Sequence, residues 1–154
     1  MSAPGFILHY RSSMKTNEVV DILLVEDNPD DAGLAIHALR KHNLASHLLH
    51  VHDGEEALEY LFSSAMISVP KVILLDLKMP KVDGMEVLRR LKSDESKKII
   101  PVVVLTSSKE ERDVLQSYKL GVNAYIVKPV DFDKFAKAIA DIGFFWLMLN
   151  QPPK

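Results

Sequence analysis

Cysteine is absent from all 154 residues, which excludes disulfides and thiol catalysis and suits a reducing compartment. The chain is therefore expected to be cytoplasmic. Long apolar runs are missing too: none approaches the roughly 18 residues that a membrane span needs. Charge of one sign is not in excess. A formal net charge of -2 gives no reason to expect nucleic acid or an anionic membrane as a partner. Neither G-x-G-x-x-G nor a Walker loop occurs, so nucleotide binding has no support. Residues 1–18 lack the long apolar centre of a signal peptide and are expected to form a flexible tail.

What remains is enough for one α/β unit. With 47% hydrophobic and 26% charged residues, the chain has ample material for a single core, placed here over residues 19–149, with a short tail at 150–154. Its organising stretch runs from Lys71 to Gly84. Val72-Ile73-Leu74-Leu75 is an unbroken apolar run of the kind a doubly buried strand shows, and it stops on Asp76. Met79-Pro80 ends regular structure, and Asp83-Gly84 starts a helix.

The same alternation repeats along the chain. Ile22–Val25 is a buried strand ending in Glu26-Asp27, followed by Asn28-Pro29 as helix cap and first helical position. That helix carries its stripe on Leu34, Ala35, Ala38 and Leu39. Residues 46–52 form a polar strand, expected at a sheet edge. Asp53 caps the next helix, with Glu56 placed for a capping box and Ala57, Leu58, Leu61 and Phe62 as core face. Val102–Leu105 runs into Thr106. A fourth helix uses Val114, Leu115 and Tyr118 before Gly121. Ala124–Val127 ends in Lys128-Pro129, and Asp131 caps a last helix striped by Phe132, Phe135, Ile139, Ile142, Trp146 and Leu149. Strands alternating with helices predict a doubly wound parallel sheet, covered on both faces.

In such a sheet, ligands bind outside the carboxyl ends of the strands. The residues that end the strands are Glu26, Asp27, Asp76, Thr106 and Lys128. Acids crowded this way stay ionised only with a cation among them, and an all-oxygen donor set favours Mg²⁺ or Mn²⁺. The set suits phosphoryl transfer, with Asp76 as nucleophile and the cation, Lys128 and Thr106 each holding one phosphoryl oxygen. Taken singly, each of these residues also fits an ordinary loop cap, solvated amine or helix cap. Their convergence on one switch point is what favours chemistry.

Four blocks resemble the receiver domains of two-component response regulators: Leu24-Val25-Glu26-Asp27-Asn28, Leu75-Asp76-Leu77-Lys78-Met79-Pro80 with Asp83-Gly84, Leu105-Thr106-Ser107, and Tyr125-Ile126-Val127-Lys128-Pro129. The resemblance covers about residues 21–148. It implies a flavodoxin-like, five-stranded sheet of order 2-1-3-4-5, and phosphorylation of Asp76 by a sensor histidine kinase. It also implies metal held by Asp27, Asp76 and the Lys78 backbone carbonyl, with Glu26 acting through water. Thr106 and Tyr125 are the implied switch pair, and the Lys128–Pro129 bond is expected cis. A protein of this kind is not an enzyme beyond its own phosphorylation and dephosphorylation. Output is then expected to pass to a downstream protein or a phosphotransfer protein, no output domain being expected after the last helix. The tail, the charged connector at 93–100 and the terminal aromatic cluster are similar to regulators paired with phytochrome-type kinases.

Three further readings concern single features. Glu26 stands where Asp is commoner, and Lys78 where many relatives carry a neutral residue, so Lys78 is expected to alter the lifetime of an aspartyl phosphate. Phe145 and Met148 lie off the main stripe of the last helix, which predicts a homodimer through the face formed by the fourth helix, fifth strand and last helix. The rival reading packs them against Phe6, Ile7 and Leu8. His50 and His52 share a strand face with His47 opposite; zinc is conceivable there, and a polar edge strand explains them more simply. The alternatives to phosphorelay are a phosphorylation-independent binding module and an aspartyl-nucleophile phosphatase. The latter wants a second acid two residues after Asp76, where Lys78 stands.

Overall fold

The computed structural model describes residues 6–10 and 18–152. Its elements are β1 (Phe6–His9), β2 (Ile22–Val25), α1 (Pro29–Lys41), β3 (His47–Val51), α2 (Gly54–Leu61), β4 (Val72–Leu75), α3 (Gly84–Lys92), β5 (Val102–Thr106), α4 (Glu111–Leu120), β6 (Ala124–Val127) and α5 (Phe132–Phe144), with a π-turn at Phe145–Leu149. The strands form one parallel sheet of order β1-β3-β2-β4-β5-β6. Setting β1 aside, this is the expected doubly wound order.

The sixth strand corrects the sequence reading. Residues 6–9, placed in a flexible tail, pair with β3 from Phe6↔His47 to His9↔His50. The strand carrying His50 is therefore interior, not an edge. The rest of the expected tail, residues 1–5 and 11–17, lies outside the described residues.

Because successive strand residues point to opposite faces, each strand feeds two apolar layers. Leu23, Val25, Leu49, Val51, Ile73, Leu75, Val102 and Val104 meet α2 and α3 through Leu58, Tyr60, Leu61, Leu88 and Leu91. Ile22, Leu24, Leu48, Leu74 and Val103 meet α1 and α5 through Ala35, Leu39, Phe135, Ile139 and Ile142. Each fully buried Leu or Ile contributes about 1.5–3 kcal/mol of transfer free energy. That doubly covered centre holds the strand ends in place.

The helix starts follow local chemistry. Asn28 Oδ1 accepts the amides of Asp30 and Asp31 at 2.9 and 3.0 Å, while Asp53, Asp83 and Asp131 cap α2, α3 and α5 in the same way. Several core assignments shift. Phe62 is the C-cap of α2 and is exposed, covered by the Arg90 and Lys97 cations; Tyr60 fills the core instead. On α4 only Ser117 is buried, leaving Leu115 and Tyr118 outside. Phe132, in the first turn of α5, is also exposed. At the other end the Asn150 amide bonds the Phe145 carbonyl at 2.7 Å, a five-residue turn that rotates the helical stripe. Leu149 consequently leaves the core face, while Trp146 and Leu147 pack against the α1/α5 layer together with Ile7. The Lys128–Pro129 bond is trans, not cis, since the described chain has no cis peptide.

Gly84 marks a close backbone approach near the sheet rim. A Cβ there would collide with the Asp76 carbonyl oxygen and lie 2.7 Å from Leu77 Cα. Its amide donates to the Leu77 carbonyl at 3.0 Å. Gly84→Ala is expected to destabilise the fold by about 1–3 kcal/mol, as overpacking does. Urea titration checks this as a lowered midpoint at unchanged slope.

Candidate functional site

Parallel pairing continues one residue beyond the apolar runs and aims the acids. The Glu26 amide donates to the Val51 carbonyl and the Asp76 amide to the Val25 carbonyl, both at 3.1 Å. These bonds fix the two carboxylate-bearing residues side by side on the carboxyl rim, Glu26 3% and Asp76 6% exposed. On the other flank the Lys128 amide donates to the Thr106 carbonyl at 2.7 Å, bringing its ammonium to the same rim.

Lys128 Nζ lies 2.7 Å from Glu26 Oε1, 2.8 Å from Asp31 Oδ2 and 3.3 Å from Asp76 Oδ2. Burial alone would lower its pKa, but the carboxylates of Asp31, Glu26 and Asp76 more than offset this and raise it, so the amine stays charged. Glu26 is pushed up to about 7, first by burial and then by the nearby Asp76 charge, against the pull of Lys128. Asp27 is exposed beside them. Glu26, Asp27 and Asp76 each bring a carboxylate oxygen within 4.8 Å of the others. An all-oxygen, acid-rich donor set with one exposed member fits a hard divalent cation with room for water.

The remaining polar bonds steer the reacting groups. Asp76 Oδ1 accepts the Lys78 amide at 3.3 Å, leaving Oδ2 toward Lys128. Thr106 is fully buried, and its hydroxyl oxygen faces the Ser108 amide at 3.4 Å. Tyr125 is half-buried, and its hydroxyl donates to the Ser108 carbonyl at 3.0 Å. Ser108 Oγ in turn donates to Asp113 Oδ2 at 2.5 Å. The Lys78 side chain does not enter the acid cluster; its ammonium reaches outward to Asp113 at 3.4 Å.

The rim thus gathers Glu26, Asp27, Asp76, Thr106 and Lys128, and sets Tyr125 one loop away on Ser108. Phe145 and Met148 lie apart, 47% and 65% exposed at the end of the last helix. Asp31 was not foreseen. An acid in a first helical turn is ordinarily read as complementing the helix dipole, and only the fold brings it to Lys128. Ser108 and Asp113 were missed as well, because a loop serine and an early helix acid carry no signal of their own.

Comparison with known proteins gives the same family. The response regulator receiver domain matches residues 22–140. Response regulator Rcp1 of Synechocystis sp. is 39% identical over 138 residues, which is 88% of this chain and 94% of that protein. Its Mn²⁺-bound crystal structure aligns with a TM-score of 0.79 at 38% identity, over 86% of this chain and 98% of that one. The phosphorylated cyanobacterial phytochrome response regulator RcpA aligns with a TM-score of 0.82 at 41% identity, covering 89% of this chain and all of that one, 100%. The bacteriophytochrome response regulator AtBRR is 52% identical with a TM-score of 0.66, covering 87% and 99% of the two chains. Sheet order, rim chemistry and these likenesses agree, and the chain belongs to the receiver-domain family of response regulators.

Proposed function

We propose that Asp76 is the phosphoacceptor and that it takes its phosphoryl group from the phosphohistidine of a sensor histidine kinase. The observation that carries this reading is the buried Asp76 carboxylate at a strand end, with the Lys128 ammonium 3.3 Å from one of its oxygens. Asp76 Oδ2 forms the new O–P bond as the P–N bond breaks, and the electron pair goes to the imidazole nitrogen of the donor. Lys128 exchanges a carboxylate contact for a phosphoryl oxygen, and the Thr106 hydroxyl turns to another. Glu26, Asp27, Asp76 and the Lys78 carbonyl would hold Mg²⁺ or Mn²⁺, whose charge offsets that of the phosphoryl oxygens. RcpA is a phytochrome response regulator and AtBRR a bacteriophytochrome response regulator, which favours a phytochrome-type kinase here.

Output follows from what Thr106 leaves behind. When its hydroxyl turns to the phosphoryl group, the long bond to the Ser108 amide is lost and Tyr125 moves into the vacated space. The surface of α4, β6 and α5 repacks, and a downstream protein or phosphotransfer protein reads it. Leu115 and Tyr118 of α4 and Phe144, Phe145 and Met148 of the last helix are exposed apolar residues, which supports a homodimer through these elements.

Incubation with acetyl phosphate and Mg²⁺ is expected to label the wild type covalently and to leave Asp76→Asn unlabelled by intact mass. Label on Asp76→Asn would move the acceptor elsewhere. Replacement of Lys78 by Ala is expected to change the aspartyl-phosphate lifetime about two- to fivefold, since it frees Asp113 and, through it, the Ser108 loop beside Thr106; the change corresponds to less than one 1.4 kcal/mol decade. Equal decay rates in the two proteins would exclude a role for Lys78. In sedimentation over a concentration series the wild type is expected to dimerise, and Phe145→Asp with Met148→Asp to remain monomeric.

A further inference from the structure

The sheet edge created by β1 assembles a second group of ligating side chains. His9 and His50 are cross-strand partners, and His52 follows two residues later on the same face of the chain. Their ring centroids lie 5.1 Å apart for His9 and His50, 4.3 Å for His50 and His52, and 5.8 Å for His9 and His52. One ring nitrogen from each falls within 4.8 Å of the other two. His50 is buried, whereas His9 and His52 are exposed, which leaves the cluster open to solvent on one side.

The hydrogen bonds orient these rings as ligands. His50 Nε2 lies 2.8 Å from the Glu26 backbone carbonyl, which can only accept, so Nε2 carries the proton and Nδ1 presents a lone pair. That Nδ1 faces His9 Nδ1 at 3.0 Å. His52 Nδ1 lies 3.1 Å from Glu56 Oε1, which also accepts the His52 amide at 2.7 Å. A carboxylate on one imidazole nitrogen leaves Nε2 free, the outer-shell arrangement typical of metal-bound histidine. Glu56 was expected to close a capping box on Asp53; it bonds one residue upstream and serves His52.

We infer that His9, His50 and His52 form a metal site, separate from the carboxylate cluster, for a borderline divalent transition ion such as Zn²⁺. Three imidazoles with no thiolate suit Zn²⁺, Ni²⁺ or Cu²⁺ and not Mg²⁺, with the fourth position left to water. Because His9 comes from β1 and the other two from β3 and its end, the ion ties the N-terminal strand to the sheet. The bond from His50 to the Glu26 carbonyl sets this clasp directly behind the acidic rim. The site needs no part of the phosphoryl-transfer reading.

The test uses the full chain, with millimolar Mg²⁺ present to occupy the carboxylates, and Zn²⁺ as probe in calorimetry. One Zn²⁺ is expected per chain, with affinity falling at least about tenfold in His9→Gln and in His52→Gln. Both residues are exposed, so circular dichroism should show the fold intact in each variant. Asp27→Asn is expected to keep Zn²⁺ binding, which separates this site from the acidic one. Co²⁺ substitution should add visible absorption of a tetrahedral nitrogen-rich site in the wild type and in Asp27→Asn, but not in the two histidine variants. Amide exchange at Leu8 and Tyr10 is expected to slow on Zn²⁺ addition. Absence of saturable Zn²⁺ binding, undiminished binding in both histidine variants, or its loss in Asp27→Asn would overturn the assignment.

Discussion

Everything at the rim depends on one ammonium held among buried acids. Lys128 is ion-paired with Glu26, Asp31 and Asp76 at once, and Asp27 lies beside them. Four carboxylates against one amine leave the cluster with surplus negative charge, and burial makes that surplus expensive. Burial and the Asp76 charge accordingly raise the pKa of Glu26. The surplus is a standing attraction for cations. The same imbalance leaves Lys128 with more acids around it than one amine can neutralise.

Placement of the acids is a backbone matter, and responsiveness is a side-chain matter. Ladder bonds from the Glu26 and Asp76 amides tie the carboxylate-bearing residues to the most buried strands, so these positions cannot drift. Ser108 is different. Its amide faces Thr106, its carbonyl accepts Tyr125, and its hydroxyl donates to Asp113 at the start of α4. A rigid centre and a lightly bonded loop are what a two-state element requires: the first defines where charge changes, and the second can settle in a different packing. The long contact at Thr106 is the weakest of the three and so the first to yield.

Much of this was legible because a doubly buried strand writes itself as an apolar run, and its polar last residue is then conspicuous. Val72–Leu75 followed by Asp76 and Val102–Leu105 followed by Thr106 are of that kind. Legibility failed where identity depends on a neighbour distant in sequence. Asp31 is one first-turn acid among two, and only the sheet order gives it Lys128. Phe6–His9 has no cap or motif after it to announce a strand, and its pairing with β3 is a tertiary fact. Leu115 and Tyr118 match a helical period but point outward, since periodicity finds an apolar face without saying whether the core or a partner covers it. The trans Lys128–Pro129 bond shows the limit of resemblance itself: a family habit of backbone is not a property of the residues.

Glu26 joins the two chemistries. Its side chain faces Lys128 and the hard-ion cluster, while its carbonyl, on the same residue, receives the proton of His50. The strand end cannot shift toward one without changing the bond to the other. β1 therefore does more than extend the sheet. By making β3 interior it buries His50, whose ring the Glu26 carbonyl then orients behind the acid pocket. A polar strand that reads as solvent-facing in the sequence becomes a scaffold for imidazole chemistry once its neighbour arrives. The acidic rim, by contrast, is complete from β2 onward, so the receiver chemistry requires nothing from β1.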